Sequence, residues 1–463
     1  MPGSKSKISY VCEKCGTESA KWEGRCHSCD EWNTMVEITT GRYARGDSGS
    51  ILHSASGTIE LSEVSLEEVE RLSFSSKELN RVLGKGAVPG SAILIAGDPG
   101  IGKSTLLLKM ASDIASSGKK TLYVTGEESM GQIKIRAERL GISGKRLVLL
   151  HTSELNEIIT HLGIDIPDFI VVDSIQTIHS DVLESVAGSL GQIRECARVL
   201  MEWGKVNNVP VIFSGHVTKS GDIAGPKVLE HMVDVVLYME GETVSAWRLL
   251  RVVKNRFGST NEVGVFEMTE KGLVDVLDPS STFIEGRTEG TVGSVVVATL
   301  DGSRPILIEV QALTSPSSLS VPRRVATGVD ISRLLLIMAV LTKKEGLSLY
   351  NQDVVVNVTG GFKITEPAAD LGVAIAIASS LRNMPVFPKV VLVGEIGLTG
   401  EIRKVPQMDR RLDEVDRLGF SNCVAPIGSG QISSNSVSVV PVGNVSDALL
   451  ACFPNQSRTK SLR

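Results

Sequence analysis

The sequence predicts an α/β protein built on a mostly parallel sheet, with a small cysteine-rich unit ahead of it and a second α/β domain behind it. Three observations carry this expectation. From about residue 60 to 280, short runs rich in Val, Ile and Leu alternate with amphipathic stretches, the pattern of a parallel sheet covered by helices on both faces. Four of the seven cysteines crowd into the first 30 residues. After Asp278–Thr282 the pattern changes to more strand-like runs, interrupted by two apolar helical segments near 331–345 and 368–382.

At 463 residues the chain exceeds one ordinary core, and two or three domains are expected. The boundaries read as 1–40 for the cysteine unit, 41–59 for a linker rich in Gly, Ser and Thr, 60–282 for the parallel-sheet domain and 283–463 for the last domain. A net charge of −5 excludes a bulk polycation, so any nucleic-acid binding must come from local basic patches. Met1–Tyr10 holds no apolar core of an export signal. The longest apolar stretches, such as Leu334–Leu341 and Leu371–Ser379, fall far below the ~20 residues that span a bilayer. A cytoplasmic protein with no membrane partner is the expectation.

Cys12 and Cys15 form one C-x-x-C pair, and Cys26 and Cys29 form another. Each pair can sit on a tight knuckle and present two thiolates, and two knuckles complete a tetrahedral sulfur site suited to zinc. Such a closed site is structural. Gly16 and Gly24 can serve the turns, His27 reads as a neighbour rather than a ligand, and Trp22 and Trp32 are expected to pack over the small core. Cys196, Cys423 and Cys452 are scattered, and an odd total argues against a disulfide framework.

Within the parallel-sheet domain the expected strands are Ala92–Ala96, Leu122–Thr125, Leu147–Leu150, Phe169–Val172 and Val209–Ser214. The expected helices are Ser104–Ser116, Met130–Leu140 and Val186–Val206. Gly97-Asp98-Pro99-Gly100-Ile101-Gly102-Lys103-Ser104 matches G-x-x-x-x-G-K-[ST] in full, between a strand and a helix, as the motif requires. Its backbone N–H groups can turn inward around phosphate oxygens of ATP, and the helix N-terminus adds a favourable dipole. Lys103 should reach the β- and γ-phosphates, Ser104 should bind magnesium, and Thr105 continues the binding segment. Asp173 ends an apolar strand and is placed to hold magnesium through water. Glu127 follows another strand and is the candidate to orient the attacking water. Glu128 better suits a helix-start acid.

These elements, in this order, resemble the RecA-like P-loop ATPase core. Lys254-Asn255-Arg256-Phe257-Gly258, taken with the cysteine pairs and the phosphate loop, resembles more narrowly the RadA (Sms) family of bacterial DNA-repair proteins. Gly215-His216-Val217-Thr218-Lys219, Gly225-Pro226-Lys227 and Glu230-His231-Met232-Val233-Asp234 share the likeness, which covers nearly the whole chain. The resemblance implies a DNA-stimulated ATPase in hexameric rings. It further implies action on branched recombination intermediates, driving branch migration after RecA-mediated strand exchange, with single-stranded and branched DNA and RecA as partners. Lys254 and Arg256, two apart at the end of Leu249–Val253, would point the same way in a strand. They could reach the γ-phosphate of a neighbouring subunit, as an arginine finger does, or contact DNA phosphates. His216 stands where RecA-like proteins carry a polar sensor of the γ-phosphate, and Gly215–Pro226 reads as a loop facing DNA.

From about residue 290, and most closely over 353–463, the chain resembles the proteolytic domain of Lon proteases. Asn357-Val358-Thr359-Gly360-Gly361 and Gly394-Glu395-Ile396-Gly397-Leu398-Thr399-Gly400 carry that likeness. The family uses a Ser within Gly-Pro-Ser-Ala-Gly, activated by a Lys. Here Glu366-Pro367-Ala368-Ala369-Asp370 places Ala368 at the serine position, and Arg410 and Arg411 stand near the lysine position. Arginine stays protonated and cannot serve as a general base, so an active protease is not expected. A ring-forming platform is, with Arg323-Arg324, Lys343-Lys344, Arg403-Lys404 and Arg410-Arg411 as basic pairs able to meet phosphates. Two other readings compete: an ATP-dependent protease, opposed by the missing dyad, and a nucleotide-gated module that loads partners without translocating.

Overall fold

The computed structural model describes residues 7–12, 18–19, 21–27, 30–40, 70–216, 224–241, 246–429 and 436–453. The linker expected at 41–59, Cys15, Cys29, most of the loop expected between Gly215 and Pro226, and the basic end from Asn455 lie outside the described residues. Contacts divide the chain into two compact units, Met1–Asp275 and Val276–Arg463. The division precedes the boundary expected at 282, because Asp278 and Ser280 bond to Arg417 and Glu414 of the second unit.

At the N-terminus, β1 (Lys7–Cys12), β2 (Glu18–Ser19) and β3 (Met35–Thr40) form an antiparallel sheet in the order β2-β1-β3. Cys12 and Cys26 are buried in one small cluster with Met35, against which Tyr10 packs. Asp30 N donates to Cys26 O and Cys26 N donates to Glu31 O, closing a tight turn at Cys26. Trp22 and Trp32 are not in that core. They are 56% and 68% exposed, and both rings approach Gly24 from outside. So short a segment cannot enclose an indole, and Trp22 is held by donating its ring N–H to Met35 O at 3.2 Å.

The rest of the first unit runs α1 (Lys77–Leu83), β4 (Ala92–Gly97), α2 (Lys103–Ser116), β5 (Thr121–Thr125), α3 (Met130–Arg139), β6 (Leu147–His151), α4 (Leu155–Ile164) and β7 (Phe169–Asp173). It continues with α5 (Leu190–Val206), β8 (Val211–His216), α6 (Ala224–Met232), β9 (Val235–Glu240), β10 (Trp247–Asn255), β11 (Val263–Thr269) and β12 (Gly272–Asp275). Nine strands form one sheet in the order β12-β11-β10-β9-β4-β8-β7-β5-β6. The six from β9 to β6 are parallel, and β10 to β12 add an antiparallel meander.

Alternate residues of the central strands feed two cores, as the period of two demands. Ile93, Ile95, Tyr123, Phe169, Val171 and Ile212 pack with α2. Leu94, Val124, Ile170, Val172 and Phe213 pack with α4 and α5. All six residues of β4 are buried, which is why it reads as an unbroken apolar run. Helix α5 begins later than the expected Val186, because Ser189 caps it by accepting from Gln192 N.

The second unit holds α7 (Pro279–Ile284), β13 (Ser294–Asp301), β14 (Arg304–Pro316), β15 (Arg324–Thr327), α8 (Ile331–Glu345), β16 (Gln352–Val358) and α9 (Asp370–Arg382). It ends with β17 (Val390–Leu392), β18 (Glu395–Ile396), β19 (Ile402–Arg403), α10 (Met408–Arg417), β20 (Asn422–Pro426), β21 (Ser438–Val442) and α11 (Val445–Cys452). Its seven-stranded mixed sheet runs β15-β16-β14-β13-β17-β20-β21. The small-residue run from Leu371 to Ser379 is a helix buried on every side. Among the described residues no helix is long and apolar enough to cross a membrane.

Where a Lon-type nucleophile would stand, Ala368 is buried in a core with Val296, Ala298, Leu307 and Leu412. Arg411 is fully buried beside it. Its two terminal nitrogens donate to the two Glu366 oxygens, each at 2.7 Å, and one also donates to Ala298 O at 2.7 Å. Glu366 also accepts from Thr299 Oγ1 at 2.8 Å and from Leu300 N. Arg410, by contrast, is exposed and donates to Ser303 O. Removing one member of a buried ion pair strands the other charge. Arg411→Ala should therefore cost about 3–5 kcal/mol in chemical denaturation, and Arg410→Ala less than about 0.5 kcal/mol. Equal, small effects at both positions would show that the pair does not hold this core.

Candidate nucleotide site

The site lies at the carboxyl end of the parallel strands. β4 leaves the sheet at Gly97, where a methyl group would stand 2.5 Å from Met239 O, so only glycine passes there. The chain enters α2 through Gly102 at φ +117°, in the region that L side chains rarely adopt. Lys103, Ser104 and Thr105 then form the first turn of the helix. Lys103 is 3% exposed, and its ammonium donates to Gly97 O at 2.8 Å and Asp98 O at 2.9 Å. Burial lowers its pKa, while the negative charges of Asp173, Asp98 and Glu127 raise it. Asp98, Pro99 and Gly100 are exposed and Ile101 is buried, so the loop presents its first half to solvent.

Strands β5, β7 and β8 bring the other expected residues to the same edge. Asp173 ends β7 in register with Thr125 of β5. It projects to the α2 side, where Tyr123 donates to its Oδ2 at 2.6 Å. Burial and the Asp173 charge push the Tyr123 phenol well above its usual pKa, so it stays a neutral donor. Glu127 accepts from Ser174 Oγ at 2.5 Å, and His216 Nε2 lies 3.6 Å from the same carboxylate oxygen. Glu128 is held by both terminal nitrogens of Arg136. His216 ends β8 and is clamped by Gln176, whose Oε1 accepts from His216 N at 3.0 Å and whose Nε2 donates to His216 O at 3.1 Å. His216 Nδ1 is buried with no partner among the described residues.

Lys254 and Arg256 lie elsewhere. Lys254 pairs with Val236, and Val236 pairs with Leu94, three positions before Gly97. About 10 Å of strand therefore separates Lys254 from the phosphate loop of its own chain. Its ammonium donates to Glu230 O and Val233 O, each at 2.7 Å, and caps the end of α6. Arg256 pairs with Asp234 at 3.2 Å, whose other oxygen accepts from Ala92 N at the start of β4. Both cations thus stand at the sheet edge opposite the loop.

The structure brings together Lys103, Glu127, Asp173 and His216. Sequence reasoning missed Tyr123, Ser174, Gln176 and Arg136. Ser174 and Gln176 carried a signal, as polar residues directly after an apolar strand; Tyr123 carried none, because it sits inside one.

Residues 10–37 match a rubredoxin metal binding domain, 60–222 an AAA domain, and 332–429 the subunit ChlI of Mg-chelatase. With the sheets above, these matches bear out the expected fold class. The chain is 49% identical over 452 residues to a DNA repair protein RadA of Halalkalibacterium halodurans, covering 96% of this chain and 98% of the relative. It is 46% identical over 458 residues to that of Listeria monocytogenes (98% and 100%) and 46% identical over 452 residues to that of Bacillus subtilis (96% and 98%). Likeness of this degree over both full lengths leaves one conclusion: the chain belongs to the RadA family of DNA repair proteins.

Proposed function

We propose that the protein is a DNA-stimulated ATP hydrolase of recombinational repair. In this reading it acts in the cytoplasm on single-stranded and branched DNA, working with RecA to drive branch migration after strand exchange. The observation that supports it most is the convergence of Lys103, Asp173, Glu127 and His216 on one sheet edge. Gly97, Asp98, Pro99, Gly100, Ile101, Gly102 and Thr105 would shape the phosphate cradle. Lys103 would exchange its two loop carbonyls for β- and γ-phosphate oxygens, since an ammonium has three donors to place. Glu127 would orient the attacking water. His216, joined to Glu127 on one side and leading into residues 217–223 on the other, would report the state of the γ-phosphate.

Ser104 and Asp173 supply hard oxygen donors, the chemistry magnesium prefers. When bound, magnesium would neutralise charge developing on the phosphates. The burial of Cys12 with Cys26 fits a thiolate site completed by Cys15 and Cys29 for a structural zinc ion.

Lys254 and Arg256 cannot serve the loop of their own chain from the opposite sheet edge. We assign them to the nucleotide of a neighbouring subunit in a ring, which we take to be hexameric. The second unit, with its dyad positions filled by Ala368 and the Arg411–Glu366 pair, would be a platform without proteolytic activity.

Hydrolysis of ATP by the full chain should rise several-fold with single-stranded or forked DNA, and Lys103→Ala should abolish turnover. Stimulation absent at every salt concentration would favour a nucleotide-gated loading module, and wild-type turnover by Lys103→Ala would refute the phosphate-loop assignment. Cys26→Ser should lose its zinc, read by elemental analysis against the intact chain; equal zinc in both would contradict the ribbon assignment.

A further inference from the structure

Tyr123 is 1% exposed, on a strand otherwise filled by apolar and Thr side chains. Phenylalanine would fill the same space at no polar cost. A buried hydroxyl is tolerated only with a partner, so the hydroxyl, not the ring, needs explaining. Thr125 is the register partner of Asp173, and Tyr123 lies two residues earlier on the same face of β5. From there the phenol reaches forward along the sheet to Asp173 Oδ2 at 2.6 Å. Among the described residues no hydrogen bond engages Oδ1.

Two cations act on Asp173 electrostatically: Lys103 in the first turn of α2, and Arg136 on α3, itself clamped by Glu128. A cationic partner on the carboxylate would compete with a divalent ion for its charge. A neutral phenol fixes its orientation without that competition.

We propose that Tyr123 is a positioning residue that fixes the Asp173 carboxylate, with one oxygen tied down and the other left to the water shell of the magnesium ion on the bound nucleotide. The proposal rests on the nucleotide-site reading above. The role is one of geometry: Tyr123 touches neither nucleotide nor metal.

The test is magnesium-dependent binding of a fluorescent ADP to the purified full chain, with no turnover required. Tyr123→Phe keeps the ring, and a thermal melt without ligand checks that it keeps the fold. The Mg2+ concentration for half-maximal response should rise about ten-fold or more, the effect of deleting a hydrogen bond to a charged group. Affinity in excess chelator should be unchanged. In an Asp173→Asn background, Tyr123→Phe should add no further shift. A Mg2+ response like the wild type's, or an equal loss of affinity with and without magnesium, would overturn the role of Tyr123 alone. Wild-type binding that ignores Mg2+ would overturn the nucleotide-site reading together with it.

Discussion

Lys103 carries an ammonium almost wholly out of water, and a buried charge without partners is prohibitively costly. The surroundings of the loop follow from meeting that demand. The chain must fold back so that the Gly97 and Asp98 carbonyls face the ammonium, which requires a residue without a side chain where β4 meets Met239. Acids must stand near enough to counter burial, and Asp173, Asp98 and Glu127 do so in part, while burial still holds the Lys103 pKa below its usual value. A central parallel strand, covered on both faces, is what places three neighbouring strand ends around one point. The two loop carbonyls hold the ammonium by hydrogen bonds to neutral acceptors, and a phosphate oxygen in their place would add a charge on the acceptor as well.

The second unit meets a similar demand in another way. Arg411 is also fully buried, yet its charge is closed off by a bidentate carboxylate and a backbone carbonyl. That arrangement fixes the guanidinium in place, and Ala368, packed into the core, offers no nucleophilic atom at the serine position. One buried cation is held by two loop carbonyls, and the other by a carboxylate that matches it atom for atom. The contrast supports assigning chemistry to the first unit and scaffolding to the second.

What could be read in advance was local. The phosphate loop and the strand ending at Asp173 are each contiguous patterns whose geometry follows from spacing. The sheet strands were legible because both faces are buried. What escaped was set by distant contacts. Tyr123 looked like one more β-former in an apolar run, and its bond to Asp173 exists only once β5 lies beside β7. Gln176 and Arg136 needed the fold for the same reason. Trp22 and Trp32 were expected to pack over the small core because so short a segment has little else to bury, but the ribbon leaves both more than half exposed. The division at 275 rather than 282 rests on bonds from Asp278 and Ser280 to α10, which no local composition reveals. Lys254 and Arg256 do share one edge of the sheet, yet their ties to α6 and Asp234 were not foreseeable from a basic pair.

Subunit mixing tests most directly whether the nucleotide site is completed by a second copy of the chain. Lys103→Ala and Lys254→Ala chains should each be inactive alone. Mixed in equal amounts and allowed to exchange, they should recover activity, because roughly a quarter of head-to-tail interfaces would pair an intact Lys103 with an intact Lys254. A mixture that demonstrably co-assembles and stays as inactive as its components would contradict the shared site, and would leave Lys254 as a cap on α6 within its own chain.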